Sequence, residues 1–388
     1  MNRPKYKIVY CAPALYSAGG VERIVSVKAS YFAEQLGYDV TIIVTEGKGR
    51  QSFFPISDRV KVVNFELGFE ALWKVSFFKK VILYVQKQRK FKKLLTEELM
   101  RIRPDFTISM LRREINFITK IKDGSRKIGE LHVNRENYRN FEANETNFFK
   151  ELFAKFWMKS LLRQLKQLDR LVVLTEKSKL AWPELSNVVV IPDPLPFQLR
   201  KKSDLTSKRI ISIGRYAYQK GYDMLLQAWA EVEKSCPDWQ LAVYGMGDQT
   251  SYRRLMEELG IDPSRCSLNG PVDDVTKVYL DSSLFVLSSR YEGFGLVIIE
   301  AMSLGIPVIS FDCKMGPDEI ITDHEDGYLV PVGDTRQLAD RMLSLMQDKD
   351  RRDRFSEKAY DHSRKYDISK IAGLWSQLFS ELLPAYEV

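Results

Sequence analysis

Short runs of β-branched and apolar residues alternate along this chain with longer segments whose apolar positions recur at helical spacing. Lys7–Ala12, Asp39–Thr45, Phe106–Met110, Arg170–Thr175 and Val188–Ile191 have the length and composition of buried strands. A second set follows at Arg209–Ile213, Trp239–Tyr244, Ser283–Leu287 and Pro307–Ser310. Amphipathic periodicity predicts helices over intervals such as Val21–Leu36, Tyr222–Cys236 and Gly295–Ser303. Strands that alternate with helices build parallel sheets, because a parallel crossover needs a helix-length connection. The pattern restarts near residue 209, which predicts an α/β protein of two Rossmann-like domains. Between them, Ile191-Pro192-Asp193-Pro194-Leu195-Pro196 and the polar run to Lys208 read as a stiff hinge, since proline fixes φ and has no N–H for a sheet. The expected bounds are therefore 1–196 and 205–366. In the remaining 367–388, Ile368, Ile371, Leu374, Trp375, Leu378 and Leu382 predict a closing helix in the core or back on the first domain.

Composition narrows the class. The chain has 388 residues, 45% hydrophobic and 28% charged, which excludes a disordered, collagen-like or coiled-coil chain. Its longest uncharged apolar stretch, Ala301–Phe311, falls well short of the ~18–20 residues of a membrane span. Arg3, Lys5 and Lys7 precede an apolar run, but that run is short and leads into a glycine turn, so it reads as a first strand and not as a signal peptide. Cys11, Cys236, Cys266 and Cys313 lie far apart with no CxxC pair, so neither a zinc site nor a disulfide framework is expected, and a reducing cytoplasm is. The net charge of +8 is uneven: residues 1–200 hold 36 Lys/Arg against 21 Asp/Glu, a balance of +15, and the rest hold 23 against 30, a balance of −7. Such asymmetry predicts a polyanionic partner for the first half only.

Three segments carry candidate chemistry. Gly19-Gly20 follows the first strand and opens a helix, a setting in which backbone can approach an anion closely. No Gly-Lys-Ser/Thr follows, so it is not a Walker loop. Gly245-Met246-Gly247 begins like a dinucleotide fingerprint but has Thr250 where the third glycine belongs, which argues against a nicotinamide dehydrogenase. The most informative block is Tyr291-Glu292-Gly293-Phe294-Gly295 with Glu300 on the following helix. Two carboxylates there converge at the carboxyl edge of a sheet, where such folds bind ligands, and carboxylates accept strongly from hydroxyls. An acid flanked by Ile298, Ile299, Ala301 and Met302 also needs a reason to be there.

Glu292-Gly293-Phe294-Gly295 with Glu300, followed by Gly305-Ile306-Pro307-Val308-Ile309, resembles the E-x-F-G-x4-E signature of family 4 retaining glycosyltransferases of the GT-B fold. Gly214-Arg215 with Lys220-Gly221, Asp326-Gly327-Tyr328-Leu329-Val330, and Gly19-Gly20-Val21-Glu22-Arg23 resemble further segments of that family, in order along nearly the whole chain. The resemblance implies two Rossmann-like domains facing each other across a cleft, with a nucleotide sugar as donor substrate. It implies that Arg215 and Lys220 grip the departing diphosphate, with Gly19, Gly20, Gly214, Gly245, Gly293, Phe294 and Gly295 around the donor. Glu292 would hold donor-sugar hydroxyls and Glu300 the ribose. No strand-ending Asp-x-Asp is present, so fixed cations are expected in place of a metal, and no cofactor is expected. Many relatives carry an adjacent Glu-His or a lone His where this chain has Glu130-Leu131-His132-Val133-Asn134. The resemblance implies a catalytic role for His132 and places Glu130 and Asn134 on the acceptor side, with the question of which side chain turns inward left open. Retention would follow from front-face substitution, the departing phosphate taking the acceptor proton. Phe311–Ile321 resembles bacterial members that use UDP-sugars on lipid-linked or surface-polysaccharide acceptors.

Ala71–Thr96 contains no acid and eight cations, Lys74, Lys79, Lys80, Lys87, Arg89, Lys90, Lys92 and Lys93, interleaved with apolar residues at helical spacing. Such a helix suits an anionic bilayer or a lipid-diphosphate head group. It equally suits a core stripe with a solvated basic face. The basic first half tips the expectation to the membrane, on its inner, cytoplasmic face; nucleic acid is not expected, because no binding motif accompanies the charge. Hexose or N-acetylhexosamine transfer from a nucleotide sugar to a growing glycan is the leading reading. A GT-B sugar epimerase and a non-catalytic membrane adaptor are the competing ones.

Overall fold

The computed structural model describes residues 6–47, 49–136, 158–197, 201–272 and 274–383. Arg3, Lys5, residues 198–200 of the hinge and residues 384–388 lie outside the described residues, as do the side chains of Trp73, Lys74, Phe77 and Phe78. The chain forms two compact units, one of residues 1–196 with 368–388 and the other of 197–367.

The first unit holds a seven-stranded parallel sheet of order β3-β2-β1-β4-β5-β6-β7. Its strands are β1 (Lys7–Ala12), β2 (Asp39–Val44), β3 (Lys61–Asn64), β4 (Phe106–Ser109), β5 (Arg126–Leu131), β6 (Arg170–Val173) and β7 (Val188–Val190). The second unit holds a six-stranded parallel sheet of order β10-β9-β8-β11-β12-β13. These strands are β8 (Arg209–Ile213), β9 (Gln240–Tyr244), β10 (Cys266–Asn269), β11 (Leu284–Leu287), β12 (Val308–Phe311) and β13 (Gly327–Val330). Both sheets are doubly wound, and the winding reverses between β1 and β4 in one and between β8 and β11 in the other. Crevices beyond the carboxyl ends of strands at such reversals are where open α/β sheets bind ligands.

Alternation along β1 shows how both faces are covered. Ile8 and Tyr10 pack in one cluster with Phe32 and with Trp375 and Phe379, whereas Val9 and Cys11 pack in another with Phe91, Leu95 and Leu99. The first cluster explains the tail: Ile368–Leu382 is a helix, and Ile371, Trp375 and Phe379 bury themselves in the core of the first unit. All four cysteines are free and buried.

Sequence reasoning misses β3 and β10. Both are four-residue edge strands of mixed polarity, Lys-Val-Val-Asn and Cys-Ser-Leu-Asn, and lack the apolar run that marks the buried strands. β5 runs through Leu131, which places Glu130 within the strand and His132 just beyond it. The basic segment is divided: a 3₁₀ turn spans Phe69–Lys74, and the helix proper runs Phe77–Ile102. Its apolar residues are divided too. Phe91, Leu95 and Leu99 are buried against the sheet, while Val81, Ile82, Tyr84 and Val85 stand exposed. Lys87 is not part of the solvated rim, since its ammonium donates to the Leu67 carbonyl.

Candidate active site

The carboxyl ends of β8 and β11 assemble the densest set of candidate residues. Beyond β8 the chain passes through Gly214 to Arg215, which is exposed and has no ion-pair partner among the described residues. A Cβ on Gly245 would lie 1.7 Å from the Gly214 carbonyl oxygen, so at this edge the two loops touch backbone to backbone. A 3₁₀ turn, Tyr218–Lys220, brings Lys220 back toward the sheet, and Gly221 (φ 62°) starts the next helix. Gly221 is required on two counts: its φ is left-handed, and a Cβ there would sit 2.1 Å from the Ser288 carbonyl oxygen.

Across β11 the loop from Ser288 to Gly295 closes over these groups. Ser288 Oγ donates to the Lys220 carbonyl at 2.9 Å, and Arg290 pins the loop to the Tyr222–Ser235 helix through paired bonds to Asp223 of 2.8 and 2.6 Å. Glu292 is nearly buried; its Oε1 accepts from Lys220 Nζ at 2.7 Å and from Ser289 Oγ at 2.6 Å. A lysine ammonium has three donors, and the bond to Glu292 occupies one of them. Phe294 is buried and Gly295 (φ 102°) caps the helix Leu296–Ser303. Glu300 lies on the buried face of that helix, 1% exposed, where Oε2 accepts from Tyr279 Oη at 2.9 Å. The structure thus joins Lys220 to Glu292 directly and keeps Glu300 on a separate partner.

In the first unit, the helix Gly20–Glu34 starts immediately after the glycine pair, and Ser17 Oγ donates to Glu22 Oε1 at 2.7 Å beside it. Glu130 and His132 do not compete for one inward position, because they bond each other: His132 Nε2 lies 3.1 Å from Glu130 Oε1, and Nδ1 lies 3.2 Å from Asp193 Oδ2. The Lys28 ammonium donates to the same Glu130 oxygen. Glu130, His132 and Asp193 offer ligand atoms within 4.8 Å of one another. Lys28 already supplies the cation that Glu130 needs, which makes this an ion-pair chain and not a vacant cation site. Asn134 is buried beside it in sequence and is hydrogen-bonded or otherwise engaged.

Lys28, Asp193, Ser289 and Tyr279 are partners that sequence reasoning misses. For Lys28 a signal exists: it interrupts the buried face formed by Ile24, Val25, Ala29 and Phe32, and a lysine at such a position needs a buried acid.

Two doubly wound parallel units in one chain define the GT-B architecture. The chain superposes on a mutant of the Staphylococcus aureus protein TarM, crystallised with fondaparinux, alpha-GlcNAc-glycerol and UDP, with a TM-score of 0.74 at 18% identity, covering 96% of this chain and 99% of that one. Residues 197–362 match the family described as Glycosyl transferases group 1. An uncharacterized glycosyltransferase of Haemophilus influenzae is 27% identical over 95% of this chain and 98% of its own length. The amylovoran biosynthesis glycosyltransferase AmsD of Erwinia amylovora is 30% identical over 55% of this chain and 62% of its own. An exopolysaccharide phosphotransferase of Streptomyces coelicolor is 36% identical over 58% of this chain, which spans 24% of that relative's length. Residues 197–362 carry the group 1 glycosyltransferase family domain, and the chain as a whole has the GT-B fold. These relatives are transferases by name, which favours transfer over the epimerase and adaptor readings.

Proposed function

We propose that the chain transfers a hexose or N-acetylhexosamine from a UDP-sugar to a growing glycan, lipid-linked or part of a surface polysaccharide, with retention of configuration and without a resident metal. The observation that carries this reading is the Lys220–Glu292 pair at 2.7 Å beside the exposed Arg215, at the winding reversal of the second sheet. Breaking the bond to a nucleoside diphosphate leaves charge on the β-phosphate, and preorganised cations stabilise it without a metal. Lys220 has donors to spare for that phosphate while it holds Glu292. Glu292 then meets the hydroxyls of the transferred sugar, Glu300 the ribose, and Gly214, Gly245, Gly293, Phe294 and Gly295 line the donor.

Retention is carried over from the family resemblance, and the state of Glu292 bears on the route by which it would occur. A nucleophilic carboxylate must be free to form a bond, and this one is clamped by Lys220 and Ser289. The reading is therefore front-face displacement: the acceptor hydroxyl oxygen bonds to the anomeric carbon, the bond to the diphosphate oxygen breaks, and that oxygen takes the hydroxyl proton. The acceptor reading draws on AmsD, named for amylovoran biosynthesis, and the UDP reading on the UDP present in the TarM crystal.

The helix Phe77–Ile102 supports a peripheral site of action on the inner face of a cell membrane. Exposed Val81, Ile82, Tyr84 and Val85 give it an apolar face near its start, and Lys79, Lys80, Arg89, Lys90, Lys92 and Lys93 flank and follow that face. Among the described residues no helix is long and apolar enough to cross a membrane.

The test is a panel of UDP-, GDP- and ADP-sugars measured for thermal stabilisation, followed by transfer and anomeric NMR of the product. A UDP-sugar is expected to raise Tm and yield a product of unchanged anomeric configuration. Stabilisation by none of the panel overturns the donor reading, and an inverted product overturns retention.

A further inference from the structure

Four charged residues from distant parts of the chain meet in one buried line of alternating sign: Lys28 from the Gly20–Glu34 helix, Glu130 from β5, His132 just beyond it, and Asp193 from the proline-rich hinge. The side chain of His132 is 8% exposed, and those of Lys28 and Glu130 are 1% exposed. A neutral imidazole has one N–H and one acceptor nitrogen, whereas an ionised carboxylate only accepts. His132 has a carboxylate oxygen at each ring nitrogen, so both nitrogens must donate. Glu130 Oε2 and Asp193 Oδ1 are also buried without hydrogen-bond partners among the described residues; Lys28 offsets the charge of Glu130, and the charge of Asp193 is left for the ring to offset. Trp375 of the closing helix covers the far end, its ring centroid 4.7 Å from Lys28 Nζ.

We propose that Asp193 and Lys28 are positioning residues that hold His132 as an immobile, doubly protonated imidazolium, so that this ring is a fixed positive charge on the first unit and does not act as a proton-accepting base. The inference rests on the sugar-transfer reading for its functional half only. Asp193 acts on the ring directly, and Lys28 acts through Glu130 by keeping that carboxylate ionised. Burial alone would lower the imidazole, but Asp193 and Glu130 outweigh it and lift the ring to about 9. Burial likewise pushes the Glu130 carboxyl up, while Lys28 and His132 pull it down to about 2. The groups facing the pair are Lys28 from the first helix, Asp193 from the hinge, the Tyr10 hydroxyl from β1, and the uncharged Trp375 ring over Lys28. A base in the usual sense needs a free lone pair near neutral pH, and this ring has none.

The chain has three histidines, so their ring nitrogens are resolvable by NMR in full-length protein labelled at histidine. His132 is expected to stay doubly protonated to near pH 9, with Asp193→Asn lowering its titration by more than one pH unit. Turnover of Asp193→Asn is expected to fall at least tenfold at pH 8 and to recover most of that loss at pH 6, with donor KM changed less than twofold. His132→Gln carries no charge and is expected to lose turnover at both pH values. Should Asp193→Asn fail to fold, Asp193→Glu is the second variant, and it is expected to keep the high titration and the turnover. Titration of wild-type His132 near its ordinary value overturns the proposal, as does an equal loss of Asp193→Asn turnover at both pH values. UDP binding measured on the same samples separates the two readings: wild-type protein that ignores UDP overturns the donor assignment, while the titration still decides the state of the ring.

Discussion

Glu130 and Glu292 are both nearly buried carboxylates held by a lysine, yet the lysines differ in a way that separates a fixed charge from a working one. Lys28 sits in the middle of a helix, sealed by Trp375, and its partner Glu130 continues into His132 and Asp193. Every charged side chain in that chain is buried and bonded to the next. Lys220 ends a single 3₁₀ turn at the edge of the second sheet, 14% exposed, beside the exposed Arg215. The lesson is that an ion pair closed on all sides keeps its geometry, and an ion pair open on one side can share its cation with an incoming anion. Removing one partner of a buried pair costs more than the pair is worth, because the other charge is left without compensation.

Variants of the open site break this comparison most severely. Glu292→Gln is expected to lower kcat by roughly 10²–10³, the scale seen when one preorganised transition-state contact is lost, with a smaller change in UDP affinity; steady-state kinetics with calorimetry checks the split. Lys220→Ala removes the proposed phosphate donor and strands Glu292 at once. Its UDP Kd is expected to rise about 10- to 100-fold, since a hydrogen bond to a charged group is worth ~1.5–3 kcal/mol, and calorimetric titration reads it. Glu300→Gln is expected to weaken free UDP about tenfold, as one ribose contact of ~1.5 kcal/mol would require, with kcat for saturating donor held near wild type.

Stability against pH sharpens the contrast, because the closed chain holds His132 and Glu130 far from their ordinary values. His132 is raised on folding to about 9, so its contribution is full below about pH 6.5, the ordinary histidine value, and is lost as pH rises through 9. Glu130 is lowered to about 2, so its contribution is full above about pH 4.3 and is lost as pH falls through 2. Urea midpoints are therefore expected to decline on the alkaline side between pH 7 and 9, a limb that His132→Gln removes. The smallest effect on donor chemistry belongs to the basic helix. Changing Arg89, Lys90 and Lys92 to Gln together with Ile82→Asp is expected to release the protein from anionic vesicles at low salt and leave UDP affinity within about twofold, as vesicle sedimentation would read; each basic residue near such a surface contributes ~1 kcal/mol.

The contrast also explains what was legible beforehand. The open site is local in sequence: Glu292, Gly295 and Glu300 fall within one loop and helix, where their spacing marks them, and Arg215 and Lys220 fall within another, where the family resemblance and not the spacing points to them. The closed chain is assembled from residues 28, 130, 132 and 193 with Trp375 over it, and no spacing announces partners that far apart. Strand alternation predicted both doubly wound sheets because their central strands are apolar on two faces. It missed β3 and β10, where an edge strand with one solvated side follows no such pattern. The basic helix was legible as an amphipath, but its division into a packed half and an exposed half depends on where the sheet ends beneath it.

The central claim, that the carboxyl edge of the second sheet grips a nucleoside diphosphate with protein cations alone, is tested most directly by titrating UDP into the full chain in excess EDTA. The account predicts one saturable site whose affinity is unchanged by the chelator and falls in Lys220→Ala. Binding that vanishes in EDTA and returns with Mn²⁺, or that is indifferent to Lys220→Ala, would contradict it.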